Sequence, residues 1–392
     1  MIPFKLKGLI IATYVVYFMV SPPFIFATFA GVLMRASLEM LLLSLLLTHY
    51  AFSQNSKPPV VLLGTWVSIS VFPLFVADQN LLSYISISAK IFIIILSVRM
   101  VFYDRKFQDK LRRIWVALWS VAAVSVILVY INFNFKVLPV RSVSLAEFSE
   151  TADYHYFGNM FGYYVSYIFN GANVPKINWY LYEPVFLSFF FGLNVVASRL
   201  LVKSTRNQVR FIVLNMIGGF LTFSSTFILF SVIYLSFKVF RFFGPRASIV
   251  LISLAFVLAM PFVIGLYLEG FFGFTSIGDR MLRFVIAIEI FRENNIIDYI
   301  FGNGVNYIPH WADRSASSGL LVLFIDLGVL VSIFFLFILF VFMRANFGVF
   351  LYCMFFSLAM YPFFFPTFMF FLAATFESRR TIVSRLMEMR QA

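Results

Sequence analysis

Apolar runs of about twenty residues recur along the whole chain, and this feature limits its fold more than any other. Such runs are long enough to cross a bilayer as helices. In lipid every backbone N–H and C=O must be paired internally, which leaves only helices and closed barrels. The period-two alternation of a barrel strand is absent, so the runs read as helices. Candidate spans lie near 9–32, 36–53, 58–77, 81–103, 114–132, 178–201, 209–223, 225–240, 248–267, 319–343, 347–361 and 363–376. The run 209–240 reads either as one bent segment or as two short spans. With 62% hydrophobic and only 12% charged residues, the expectation is an all-α polytopic membrane protein. About twelve transmembrane helices are expected, with residues 1–392 forming a single transmembrane domain.

An even number of spans puts both termini on one side, and the charges choose the side. The segments "YDRKFQDKLRR", "VKSTRNQVR", "FKVFRFFGPR" and "FESRRTIVSRLMEMR" fall on one face of this topology, together with Lys5, Lys7, Lys57 and Arg344. These hold most of the 30 Lys and Arg, so this face is cytoplasmic by the positive-inside rule. The net charge of +13 is therefore a topology signal rather than a nucleic-acid footprint. The first apolar stretch continues past "SPP" without a small-residue cleavage site, so no cleavable signal peptide is expected. A single cysteine, Cys353, excludes an intramolecular disulfide. Three scattered histidines (His49, His155, His310) make no metal-ligand spacing, and neither a metal nor another cofactor is expected.

Two long segments remain on the outer face, roughly 133–177 and 268–318. Both exceed a simple helix connection and are rich in aromatic and aliphatic residues, so both are expected to pack. The second opens with "SIGDRMLRFVIAIEIFRENN", in which Asp279 reads as a helix N-cap. Met281, Phe284, Val285, Ile288 and Phe291 recur at helical spacing as one apolar face, and Arg280 and Arg283 lie on another. Two cations in a first turn oppose the helix dipole, unless an anion sits there. Free N–H groups and two guanidinium forks would then converge on phosphate oxygens. Contact with lipid headgroups, or pairing with Asp279 and Glu289, explains the same arginines without any catalytic role.

The first outer segment offers Arg141 and Lys176 among many tyrosines and tryptophans. These rings can stack on sugars or form an interfacial aromatic belt. Glu183 precedes Pro184 at the mouth of a span, where a carboxylate is expensive and a functional role is the default. Glu39, Lys90 and Asp326 are further charges inside apolar runs, and Lys90 is expected to tie to one of the acids.

The run "GDRMLRFVIAIEIF…YIFGNGV…SSGLLVLFIDLGVLVSIFFLFILF" resembles the bacterial O-antigen polymerase (Wzy) and O-antigen ligase superfamily, which has a GT-C-like fold. The matching residues are the Arg-led segment, Gly302-Asn303-Gly304, Ser317, Asp326 and Gly328. "KINWYLYEPVFLSFFFG" is similar to the basic-residue…Glu-Pro stretch of polymerases, with Lys176 where an arginine is frequent. "LTFSSTFILFSVIYLSFKVFR" is similar to a Thr-x-Ser-Arg segment, with Ser225 in the arginine's place. A ligase histidine would fall at Ser317, and His310 lies seven residues earlier. This departure favours the polymerase branch.

The resemblance implies a metal-independent glycosyltransferase at the periplasmic face of the bacterial inner membrane. A growing glycan on undecaprenyl pyrophosphate would be attacked by a hydroxyl of an incoming lipid-linked repeat unit. Arg280, Arg283 and Glu183 are the expected catalytic residues. Arg141, Lys176, Asp279, His310 and Ser317 are expected to bind substrate. Implied partners are the lipid-linked oligosaccharides, the bilayer, a chain-length regulator and a flippase; no nucleic acid is implied. The alternatives are an O-antigen ligase transferring glycan to lipid A core, and a transporter of polysaccharide or lipid-linked solute.

Overall fold

A computed structural model describes residues 4–21, 24, 26–52, 81–144, 155–169, 172–181, 184–243, 285–286, 288–303, 319–343, 346–357 and 365–376. The chain is mostly helical. It divides into two compact units, one of Met1–Leu118, Val196–Gln208 and Val285–Ala392, the other of Trp119–Val195 and Val209–Phe284.

In the first unit, helix α1 (Phe4–Met19) packs on α2 (Phe26–Phe52), and α2 packs on α3 (Leu81–Tyr103). The expected spans 9–32 and 36–53 are thus redrawn, because α1 stops at Met19. Pro22 and Pro23 follow directly, and proline cannot continue a helix. Inside α2 the backbone breaks at Gly31 (φ 63°, ψ 164°), a conformation open essentially only to glycine.

Helix α4 (Arg105–Phe135) starts well before the expected 114, so the basic run "RKFQDKLRR" is helical rather than a loop. Asp104 caps it by accepting the Phe107 N–H at 3.0 Å, and its other oxygen takes the Lys7 ammonium. Two side chains of this basic turn close the end of another helix, Pro366–Thr375. Arg112 Nε donates to the Ala374 carbonyl at 2.9 Å, and Gln108 Nε2 donates to Phe376 O at 2.5 Å. A cation on the last carbonyls of a helix is the favourable end for its dipole. Lys203 reaches Asp109 at 3.2 Å. Residues from "YDRKFQDKLRR" and "VKSTRNQVR" therefore meet at one end of this unit, beside the helix that leads to the basic C-terminal segment.

In the second unit, α4 continues alongside α5 (Pro184–Val196), α7 (Thr205–Leu221) and α8 (Ser225–Phe243), with α6 (Ser198–Leu201) belonging to the first unit. The run 209–240 is two helices, parted at a turn in which Phe223 takes a positive φ of 49° and Thr222 Oγ1 donates to Gly219 O. Asn194 donates to Asn215 at 2.8 Å, both side chains buried, which ties α5 to α7. Trp119 stacks on Phe190 at 4.7 Å.

The described residues of the expected 133–177 segment add a sheet to the helical architecture. Strands β1 (Arg141–Ser144), β2 (His155–Asn159), β3 (Gly162–Phe169) and β4 (Ala172–Trp179) form an antiparallel meander in the order β1-β2-β3-β4. Residues 160–161 make the tight β2–β3 turn, where Phe161 N donates to Asn159 Oδ1. Phe133 of α4 meets Tyr164 edge-on at 5.2 Å, seating one face of the sheet on the helix end.

Further helices among the described residues are α9 (Ile296–Phe301), α10 (Gly319–Met343), α11 (Phe347–Ser357) and α12 (Pro366–Thr375). Among the described residues, two helices, Arg105–Phe135 and Leu320–Met343, are long and apolar enough to cross a membrane. Their outward surfaces are apolar too, with Val121 and Val124 exposed on α4, and Ile333 and Phe337 on α10. Contiguous apolar surface of this kind suits lipid rather than water. The expected spans 58–77 and 248–267 lie outside the described residues.

Candidate functional site

Of the expected site residues, the structure describes Arg141 and Lys176. Glu183, Asp279, Arg280, Arg283, His310 and Ser317 lie outside the described residues.

Arg141 and Lys176 sit on the two outer strands of the sheet. Register puts Arg141 beside Gly158, and Val143 in line with Tyr156, Val165 and Lys176. Directly paired residues share a face, so both cations belong to the same face. Three strand spacings separate β1 from β4, roughly 14 Å. The two residues are therefore grips on separate points rather than one clamp on one phosphate. Burial raises the Tyr164 and Tyr180 hydroxyls above the ordinary phenol range, and for Tyr180 the neighbouring Tyr163 phenol adds to this. The sheet's far end turns at Asn178, whose Nδ2 donates to Leu181 O at 2.7 Å, and the chain re-enters a helix at Pro184.

The segment after the two arginines is helical at 285–286 and 288–293. Sequence periodicity grouped Val285, Ile288 and Phe291 as one face; the structure buries an adjacent one. Ile290 is fully buried against Ile325 of α10, with Ile286, Phe291, Leu321 and Val322 around them. Val285 and Ile288 are exposed. Apolar residues occur nearly all round this helix, so periodicity alone could not choose its buried side.

What fixes the packing is the next stretch, "NNIIDYIFGNG". Asn295 Oδ1 accepts the Asp298 N–H at 3.0 Å, and Asp298 returns the bond to the Asn295 N–H at 3.3 Å, a reciprocal N-cap for α9. Gly302 ends the helix at φ 86°, its N–H bonding to Asp298 O.

Gly302 lies against a break in α10 at Gly328 (φ 71°, ψ 171°). A Cβ on Gly302 would fall 2.3 Å from the Asp326 carbonyl oxygen, and one on Gly328 would fall 2.4 Å from Gly302 N. No side chain fits at either position. The break frees carbonyls that α10 would otherwise pair, and these are re-satisfied locally. Ile325 O accepts the Asn303 backbone N–H at 2.8 Å, and Leu323 O accepts Ser332 Oγ at 2.8 Å. Asp326 is buried at this joint. Gly302-Asn303 and Asp326…Gly328, separate in sequence, thus meet backbone to backbone. Ser332 has no sequence signal of its own.

A second polar cluster lies in the first unit. Glu39 of α2 is buried and accepts the Tyr17 hydroxyl at 2.6 Å. Lys90 of α3 and Arg35, one turn before Glu39, are within electrostatic reach. Arg35 Nε donates to the Gly31 carbonyl at the α2 break. Glu39 is thus the acid within electrostatic reach of Lys90, while the part of Tyr17 was not visible in sequence.

No family model, curated protein or solved structure matches this chain.

Proposed function

We propose that the protein is a surface-polysaccharide polymerase of the O-antigen type. It would transfer a growing glycan from undecaprenyl pyrophosphate to a hydroxyl of an incoming lipid-linked repeat unit. The observation that carries this reading is the joint between Gly302-Asn303 and the broken α10. Two of the short motifs on which the resemblance rests come together there, and the segment that follows the paired arginines is anchored on a buried acid-bearing helix. A binding surface in an outer loop needs such an anchor to hold geometry.

The leaving group is a pyrophosphate, so the work is electrostatic stabilisation and positioning. Arg280 and Arg283 would hold the pyrophosphate oxygens, with Glu183 assisting deprotonation of the acceptor hydroxyl. Arg141 and Lys176, on one sheet face, would contact substrate away from the reacting bond. The reading carries an orientation: inner membrane, about twelve spans, termini in the cytoplasm and both long loops in the periplasm. Deleting the gene and running surface glycans on gels tests it. Polymerase loss leaves lipid A core capped with single repeats, and ligase loss leaves it uncapped. An unchanged ladder would remove both activities.

A specific observation also favours a transporter. Two helices of the first unit are broken at glycine, and one of them, α2, carries the buried Glu39, which accepts the Tyr17 hydroxyl of α1 and lies within electrostatic reach of Lys90. Discontinuous helices with buried charge are typical of transport sites. Against this, the carbonyls freed at the α10 break that would serve an ion are taken by Asn303 and Ser332. Uptake of lipid-linked glycan into proteoliposomes, abolished by Glu39→Gln, would turn the assignment toward transport.

A further inference from the structure

The corner of the sheet around Tyr163 has a construction that the general scheme of glycan transfer does not require. The Tyr163 ring lies across strand β2, so that a Cβ on Gly158 would fall 2.4 Å from its Cδ1 and 2.5 Å from its Cε1. Only glycine at 158 lets the ring lie there. Tyr180 braces it edge-on, with centroids 5.7 Å apart and planes at 80°, and the Tyr180 hydroxyl is itself tethered to Met160 O at 2.8 Å. Tyr163 remains partly exposed. Arg141 is the direct cross-strand neighbour of Gly158 on the same face; it is exposed, and its side chain has no hydrogen bond or ion pair among the described residues. The charged residues described between 136 and 181 are Lys136, Arg141 and Lys176, all cations.

We infer that the Arg141–Gly158–Tyr163 corner is a binding site for an acidic pyranoside, a sugar ring carrying a carboxylate or phosphate. This deepens the polymerase reading and rests on it for the source of the sugar. The face of an aromatic ring is electron-rich and attracts the polarised C–H groups of a pyranose face. A guanidinium about one strand spacing (roughly 4.8 Å) to the side meets an anionic substituent with two parallel N–H donors. Ring and cation are held by separate strands of one sheet, so their spacing is built in.

Titration calorimetry on the full chain in lipid nanodiscs, with hexameric oligogalacturonate and with neutral maltohexaose, tests the inference. Wild type binds the acidic probe more tightly than the neutral one. Arg141→Gln weakens the acidic probe by at least about tenfold and leaves the neutral one unchanged. Tyr163→Leu weakens both, Tyr163→Phe neither, and Gly158→Ala weakens both by displacing the ring. Wild type that fails to bind oligogalacturonate, or Arg141→Gln and Tyr163→Leu that bind it as tightly as wild type, overturns the proposal. So does binding of dihexanoyl-phosphatidylglycerol in place of the sugar, lost in the same two variants, which would assign the corner to lipid headgroups. A purified wild type that makes no polymer from lipid-linked repeats yet binds oligogalacturonate refutes the polymerase reading alone. Polymer made equally by wild type and Arg141→Gln, with no affinity for the acidic probe, removes this corner alone.

Discussion

At the scale of single residues, the chemistry turns on whether the two arginines of "GDRMLR" act as forks or as point charges. A guanidinium holds a pyrophosphate through two N–H donors, whereas lysine offers one compact charge. If Arg280 holds the leaving group, Arg280→Lys loses most polymer formation at unchanged net charge, while Arg283→Lys keeps more. Alanine at either position removes a transition-state donor worth roughly 2–4 kcal/mol. Headgroup contact instead predicts that lysine serves equally at both, so polymer length and membrane protein level in the four variants decide. A different single residue, Asp104, governs stability. Burial pushes its carboxyl up, but the Lys7 ammonium and the Phe107 and Lys106 N–H groups outweigh this and hold it below the usual range. A depressed carboxyl contributes stability that is present above its unfolded pKa, about 4, and lost as pH falls through the folded value. Asp104→Asn keeps the cap and loses the ion pair, so it should cost up to about 1 kcal/mol near neutral pH. The melting-temperature gap to wild type should close below about pH 4; a gap that persists there would assign the loss to packing rather than to charge.

At the scale of elements, the joint between α9 and α10 makes a sharper prediction. Gly328→Ala must place a methyl 2.4 Å from the Gly302 nitrogen at a φ of 71°, and both neighbours are backbone that cannot swing aside. Strain and overpacking together should cost about 2–5 kcal/mol. They should also release α9, opening its backbone at Tyr299 and Phe301 to limited chymotrypsin cleavage. Gly8→Ala is the control, since nothing lies within 4 Å of its Cβ in helix α1, and there alanine should be neutral or stabilising. Cleavage unchanged by Gly328→Ala would mean the joint does not hold the segment. This joint also marks the limit of what sequence can convey. Gly302, Asn303, Asp326 and Gly328 were all visible as motif residues, and the helices of 81–103 and 319–343 were legible because apolar length is a strong local signal. Their contact was not, because a backbone-to-backbone fit leaves no pattern in either segment alone. The sheet of 141–179 was hidden for a related reason. Its strands are short, both faces carry aromatics, and period-two alternation is blurred by a bulge at Tyr163/Tyr164. The early start of α4 was masked by charge, since a basic amphipathic turn resembles a loop until its partners, the carbonyls at 374 and 376, are known.

At the scale of the whole molecule, everything about substrate and reaction depends on which face looks outward. Residues from two basic segments cluster through Asp109, with the end of α12 beside them, which fits one shared cytoplasmic face by the positive-inside rule. The loops bearing Ser149 and Ser315 then belong to the opposite face. Single cysteines placed there can report this against the native sequence without first removing a background. The one native cysteine, Cys353, is fully buried, and an apolar environment also disfavours the reactive thiolate. Wild type should therefore stay unlabelled by a membrane-impermeant maleimide in intact spheroplasts, while Ser149→Cys and Ser315→Cys label before lysis. A cysteine at Lys203, exposed at the basic end, should label only after lysis. The reverse pattern would put the sheet, the acidic-sugar corner and the arginine segment in the cytoplasm, where lipid-linked repeats are not polymerised under this scheme. The proposed reaction would then fall as a whole, and the basic clusters would need another explanation.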